Sequence, residues 1–85
     1  MKLTKNILME VEQERINQIG KWGKQEMSLA EWYLILAKEV GEVAKAIQEH
    51  DGSYGEIYEE LIQVAAVATQ ICEAIKEAEK DATAT

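Results

Sequence analysis

The sequence predicts an all-α protein: three helices in one chain, with a helix hairpin as the core, assembling with further copies into a helical bundle. Three observations lead there. The 85 residues include no proline, and of five glycines only Gly41 stands outside two clusters, Gly20 with Gly23 and Gly52 with Gly55, which read as the connections. The second and third segments carry apolar residues in alternating steps of three and four, the rhythm of helices that pack on helices. The chain is also short enough to be one domain at most and marginally stable alone, so association is the available route to more buried surface.

The first helix is expected from about Thr4 to Ile19 or Lys21, with the connection taking residues 1–27 as one N-terminal unit. The second should run from Ser28 to about Glu49. Ser28 and Glu31 have the spacing of a capping box, and Met27 and Trp32 that of a hydrophobic staple. His50-Asp51-Gly52 supplies a stop and turn, and Ser53 with Glu56 repeats the capping-box spacing. The third helix is expected from about Ser53 to Lys80, closing a hairpin over 28–80, with a tail at 81–85 that frays. Helix three presents Ile57, Leu61, Val64, Ala68, Ile71 and Ile75 as a seam, and helix two presents Leu36, Val40, Val43 and Ile47. Two such helices with a short link predict an antiparallel hairpin, and two seams on so small a chain predict a homodimer or homotetramer.

Composition excludes several classes of function. Sixteen acidic against nine basic residues give a net charge of −7, so nucleic acid is not expected as a direct partner. No apolar run approaches the roughly 20 residues a bilayer requires, and the N-terminus lacks a signal-peptide core; no membrane partner is expected, and the cytoplasm is the expected location. Cys72 is the only cysteine and His50 the only histidine, which leaves neither a disulfide nor a Cys/His zinc site. Cys72, on the apolar side of helix three, is expected to be buried and inert.

The candidate chemistry lies in carboxylates beside the seams. Glu39 and Glu42 are three apart and share one face of helix two; Glu60 and Gln63 repeat that spacing on helix three. In an antiparallel hairpin these pairs can converge. Crowded carboxylates repel one another and resist desolvation unless a cation neutralises them, and Mg²⁺ favours a hard oxygen shell completed by water and substrate phosphates. The alternative is a solvated acidic face, common in a chain with 16 acidic residues. On the first helix, Leu8, Val11, Arg15, Ile19 and Trp22 form one stripe. Arg15 interrupts it and needs a partner, either a carboxylate or a ligand phosphate. Trp22 can stack on a nucleobase or cap an oligomer core. Trp32 reads as a core residue.

The run Glu39-Val-Gly-Glu42-Val-Ala-Lys-Ala-Ile, a turn, then Glu59-Glu60-Leu-Ile-Gln63-Val resembles the MazG-like all-α nucleoside triphosphate pyrophosphohydrolases, whose signature is E-x-x-E on one helix and E-x-x-D on the next. The resemblance covers roughly Leu29 to Ile75. The segment from Glu14 through Gln18, Lys21 and Trp22 to Gln25 resembles the one that precedes this core in small, phage-type members. It implies that Glu39, Glu42 and Glu60 serve as catalytic metal ligands for Mg²⁺, with Mn²⁺ as a substitute. It implies that Arg15, Gln18, Lys21 and Trp22 line the nucleotide pocket. The activity implied is attack of water within a nucleoside triphosphate, releasing monophosphate and pyrophosphate. At position 63 the family has Asp and this chain has Gln63. An amide oxygen can ligate a hard cation but brings no charge. A slower enzyme, one with altered metal stoichiometry, and a binder without catalysis all fit that departure.

Overall fold

A computed structural model describes residues 1–22, 26–49 and 53–84; of Lys21, Trp22 and residues 82–84 it describes the backbone alone. The described residues contain no strand and form helices α1 (Lys2–Trp22), α2 (Leu29–Glu49) and α3 (Tyr54–Ala84). The all-α class follows directly. The proposed turn at His50-Asp51-Gly52 and the position of Gly23 lie outside the described residues.

The start of α2 is built as its capping box requires. The Glu31 N–H donates to Ser28 Oγ at 3.2 Å, and the Ser28 N–H donates back to Glu31 Oε1 at 2.9 Å. These bonds hold the Glu31 carboxyl below its ordinary range. At the start of α3 the Ile57 N–H donates to the Ser53 carbonyl at 3.1 Å. That helix continues past the expected end at Lys80 to Ala84. The residues there include no glycine or proline to stop it, and alanine is the strongest helix former.

Helix α3 packs against both α1 and α2. The buried apolar side chains of the described residues are Val11 from α1, Trp32 and Ala46 from α2, and Ala66 and Val67 from α3. The inward face of α2 therefore runs Trp32, Ile35, Glu39, Glu42, Ala46, and that of α3 runs Glu60, Gln63, Val67, Gln70, Ala74, each in steps of three and four. This corrects the expected seam. Val40, Ile47 and Leu61 are about half exposed, at 52%, 51% and 50%. Ile75 is also exposed, while Leu36, Val43, Ile57, Val64, Ala68 and Ile71 are half-buried, as Glu39, Glu42, Glu60 and Gln63 are. The seam is thus covered only in part by its own chain, and the carboxylate pairs border it.

Cys72, expected to be buried, is exposed; it lies on α3 near Ala68, which is half-buried, and Ile75, which is exposed. No helix of the described residues is long and apolar enough to cross a membrane.

Candidate acidic site

The inward faces of the helices bring together an unusual set of polar side chains for so small an interior. From α2 come Glu39 and Glu42, from α3 Glu60 and Gln63, and all four are half-buried. Helix α1 adds Glu14, half-buried, with Arg15 and Gln18, both buried. The spacing of 11, 14, 15 and 18 places these on the face that carries Val11 into the core.

The carboxylates sense one another. Glu39 is pushed above the ordinary carboxylate value, first by burial, then by the negative charge of Glu60, with Glu42 and Glu14 adding to it and Lys38 opposing it. Carboxylates from all three helices thus act on one group. Among the described residues, however, no three His, Cys, Asp or Glu side chains stand close enough to hold a metal ion as they lie. The donor set, carboxylates and an amide oxygen, has the hard-oxygen chemistry that Mg²⁺ takes.

Gln63 already has a protein partner. Gln18 Nε2 donates to Gln63 Oε1 at 3.1 Å, tying α1 to α3 next to the carboxylates. The oxygen of Gln18 is buried without a partner among the described residues. An aspartate at position 63 would also accept from Gln18, but it would place another negative charge beside Glu39 and Glu60. Neutral Gln63 thus lowers the repulsion in this interior.

Arg15 takes the first of its two expected kinds of partner. Its Nε and Nη2 donate to the two carboxylate oxygens of Glu73 at 3.0 and 3.2 Å, a bidentate pair. The guanidinium is buried and Glu73 is about half exposed, at 53%. Replacing Glu73 with Gln leaves a buried cation with weaker compensation. A loss of about 1 kcal/mol is expected, reduced from the buried-pair value because water screens Glu73. Thermal unfolding by circular dichroism should show Tm falling by roughly 4–8 °C; a Tm within a degree of the parent would mean that the pair contributes nothing. A second tie joins α1 to α3: Tyr58 Oη donates to a Glu10 carboxylate oxygen, which pushes the phenol's pKa up.

Of the site residues expected from sequence, Glu39, Glu42, Glu60 and Gln63 are half-buried and Arg15 and Gln18 buried; Glu60 and Glu42 act on Glu39, Gln18 bonds Gln63, and Arg15 bonds Glu73. The side chains of Lys21 and Trp22 lie outside the described residues. Two participants were not singled out. Glu14 is one helical turn from Gln18, and its membership of the Val11 face was readable from that spacing. Glu73 carries no such local signal, because it is defined by where α1 crosses α3. Comparison of the chain with protein-family models, curated proteins and solved structures found no match.

Proposed function

We propose that the protein is a Mg²⁺-dependent nucleoside triphosphate pyrophosphohydrolase of the MazG-like kind, acting in the cytoplasm as a homodimer or homotetramer of antiparallel α2–α3 hairpins. The observation that carries the reading is the half-buried placement of Glu39 and Glu42 on α2 and of Glu60 and Gln63 on α3, where burial first, and then Glu60, Glu42 and Glu14, push the Glu39 carboxyl up. A half-buried group of carboxylates is costly to maintain for structure alone, since apolar residues of similar size fill such positions at lower cost. The cost is understandable if the group exists to receive a cation and the phosphates it accompanies.

In this reading Glu39, Glu42, Glu60 and the Gln63 oxygen hold the cation, and Mn²⁺ can take its place. The cation would supply charge neutralisation at the phosphoryl oxygens. The protein's own residues do the rest. Gln18 holds Gln63 by its amide, Lys21 and Trp22 follow on the same helix, and Arg15 would have to exchange Glu73 for a phosphate to take part. One of these glutamates orients the attacking water and accepts its proton.

A second reading rests on two observations: Gln63 Oε1 is already engaged by Gln18, and the carboxylates stand apart. It holds that the chain keeps the fold as a nucleotide-binding or assembly module with a weakened cation site and no catalysis. Pyrophosphate release decides between them. Pure protein with Mg²⁺ and a panel of nucleoside triphosphates should yield pyrophosphate and the monophosphate. In an enzyme whose cation site is only weakened, Gln63→Asp should bring the rate to its maximum at several-fold lower Mg²⁺, because a carboxylate holds a hard cation better than an amide does. A parent and a variant that both bind Mg²⁺ and release nothing would establish the second reading.

The exposed apolar residues of α2 and α3 support the proposed assembly. Val40, Ile47, Leu61 and Ile75 are among them, and a second copy could cover such side chains. Sedimentation should give a dimer or tetramer at micromolar concentration, and Val40→Glu with Leu61→Glu should shift it to monomer. A well-folded parent monomer under those conditions would overturn the assembly.

A further inference from the structure

Helix α1 has a second face that its own chain leaves open. The face turned to α3 takes Val11, Arg15 and Gln18, all buried, and the polar ties to α3 run through Arg15, Gln18 and Glu10. Lys5, Leu8, Glu12 and Ile16 follow one another in steps of three and four along a different stripe, with Met9 beside it. Leu8, Met9 and Ile16 are each more than half exposed. Helix α2 does not cover them, because among the described residues α3 packs against both other helices while α1 and α2 do not pack on one another. Apolar side chains grouped and open in this way mark an interaction face.

Two charges on the stripe say what meets it. At the four-residue spacing where a helical partner would stand, Lys5 has Met1 and Met9, and Glu12 has Leu8 and Ile16. Three residues from Glu12 stands Arg15, but its guanidinium is bonded to Glu73. Neither Lys5 nor Glu12 has an ion-pair partner among the described residues. They stand two helical turns apart, about 10 Å of rise, in line on one face. A cation and an anion in line, with apolar residues between them, are complementary to their own reverse. An antiparallel copy centred between Leu8 and Met9 sets Lys5 opposite the partner subunit's Glu12, because the two positions lie equally far from that centre. The same symmetry sets Glu12 opposite the partner subunit's Lys5. Leu8 and Met9 then meet their own counterparts at the two-fold axis, as an isologous interface requires.

We propose that this face of α1 docks a second copy of the chain, α1 against α1 and antiparallel, closed by two Lys5–Glu12 ion pairs. It is distinct from the exposed apolar residues of α2 and α3, so the pairing stands whichever way the acidic centre and its assembly are decided. One helix against one helix is a small interface, so the pair is weak and forms above the micromolar range. Exposed ion pairs add little to affinity, but they set orientation. A parallel pairing in register brings like charges together, and a shifted one leaves both charges alone.

The test begins with equal amounts of ¹⁴N- and ¹⁵N-labelled full-length protein, mixed at submillimolar concentration. A carbodiimide then joins amines to carboxylates that are in contact. Digestion and mass spectrometry should find a Lys5–Glu12 crosslink carrying both labels, which only two chains can give. The protein with Val40→Glu and Leu61→Glu should give it too, since those positions lie on the other helices. In that background, sedimentation equilibrium at low salt reads the α1 pair alone. Lys5→Glu and Glu12→Lys should each weaken it at least about tenfold, as two attractive pairs become two like-charge ones. Mixed together, the two variants should pair again, because each supplies the charge the other lacks. Lys5→Glu and Glu12→Lys in one chain should pair as the parent does. Both positions are exposed, so Tm should stay unchanged in these variants. No mixed-label crosslink in the parent, or single variants that pair as tightly as the parent, would overturn the inference. Weakening without rescue on mixing would show that the face meets something other than its own copy, and would overturn it equally.

Discussion

Trp32→Ala should cost about 3–5 kcal/mol, the range for removing a buried aromatic side chain. A domain of 85 residues is stable by roughly 4–13 kcal/mol at the usual value per residue, so this one change removes a large share of the total. The reason is the composition of the interior. Trp32 is 3% exposed, and the other buried apolar residues are Val11, Ala46, Ala66 and Val67. Alanine and valine cannot swing into the space an indole leaves, so the hole persists and the packing it supported is lost. Trp32 lies four residues after the Ser28 cap, and it lines a cavity together with Arg15 of α1 and Ala74 of α3. Chemical denaturation should show the midpoint falling steeply, with a variant that is partly unfolded in buffer near the upper end of the range. Leu61→Ala is the control, because Leu61 is half exposed on a single chain. Its cost should be small when the protein is dilute and, in the proposed assembly, should grow with concentration as a second copy covers it. A loss below about 1 kcal/mol for Trp32→Ala would mean that the interior is held elsewhere.

The helices themselves were readable because their signals are local. A serine and a glutamate three apart are enough to specify the Ser28–Glu31 box, and the bonds at 2.9 and 3.2 Å are those the spacing demands. The faces were not readable in the same way. Helix α2 has a stripe through Leu36, Val40, Val43 and Ile47 and another through Trp32, Ile35, Glu39, Glu42 and Ala46, and both have helical spacing. Hydrophobicity shows which stripe gains most from burial. It does not show whether the cover comes from the same chain or from another copy. The seams were therefore assigned both to the hairpin and to further copies, and Cys72 was expected to be buried beside them. The four polar residues of the E-x-x-E and E-x-x-Q pairs were found for the opposite reason: their spacing puts each pair on one face whichever way that face turns. Glu73 was beyond reach, because its place beside Arg15 depends on how α1 lies across α3, and no short-range pattern encodes that.

Glu39→Gln should change the protein in opposite directions with and without a cation. The carboxyl of Glu39 is raised above 4.5 in the fold, chiefly by burial and then by Glu60, so the folded chain holds that proton more tightly than the unfolded chain does. Its favourable contribution is fully present below the unfolded value and is lost as pH rises through the folded one. At pH 7 the group is charged among like charges, and replacing it with a neutral amide removes that opposition. In the presence of a chelator, Glu39→Gln should therefore melt higher than the parent at pH 7, and the two should converge as pH falls below about 4.5, the ordinary carboxylate value. Mg²⁺ should reverse the order. Binding to the folded state alone stabilises the parent by about 2.7 kcal/mol at a hundredfold excess over Kd, a rise in Tm of more than ~10 °C for a chain of this size. The variant, with one ligand neutralised, should gain little. Glu60→Gln should behave alike, because Glu60 is the charge that acts most on Glu39. Pyrophosphate release should fall about 100-fold or more in either variant, the usual cost of removing one group that stabilises charge at a reacting centre. Differential scanning calorimetry at two pH values, with Mg²⁺ and with chelator, separates the contributions. Variants that melt lower than the parent without cation and respond to Mg²⁺ as the parent does would show that the carboxylates neither oppose one another nor serve a cation, and the acidic centre would lose its assignment.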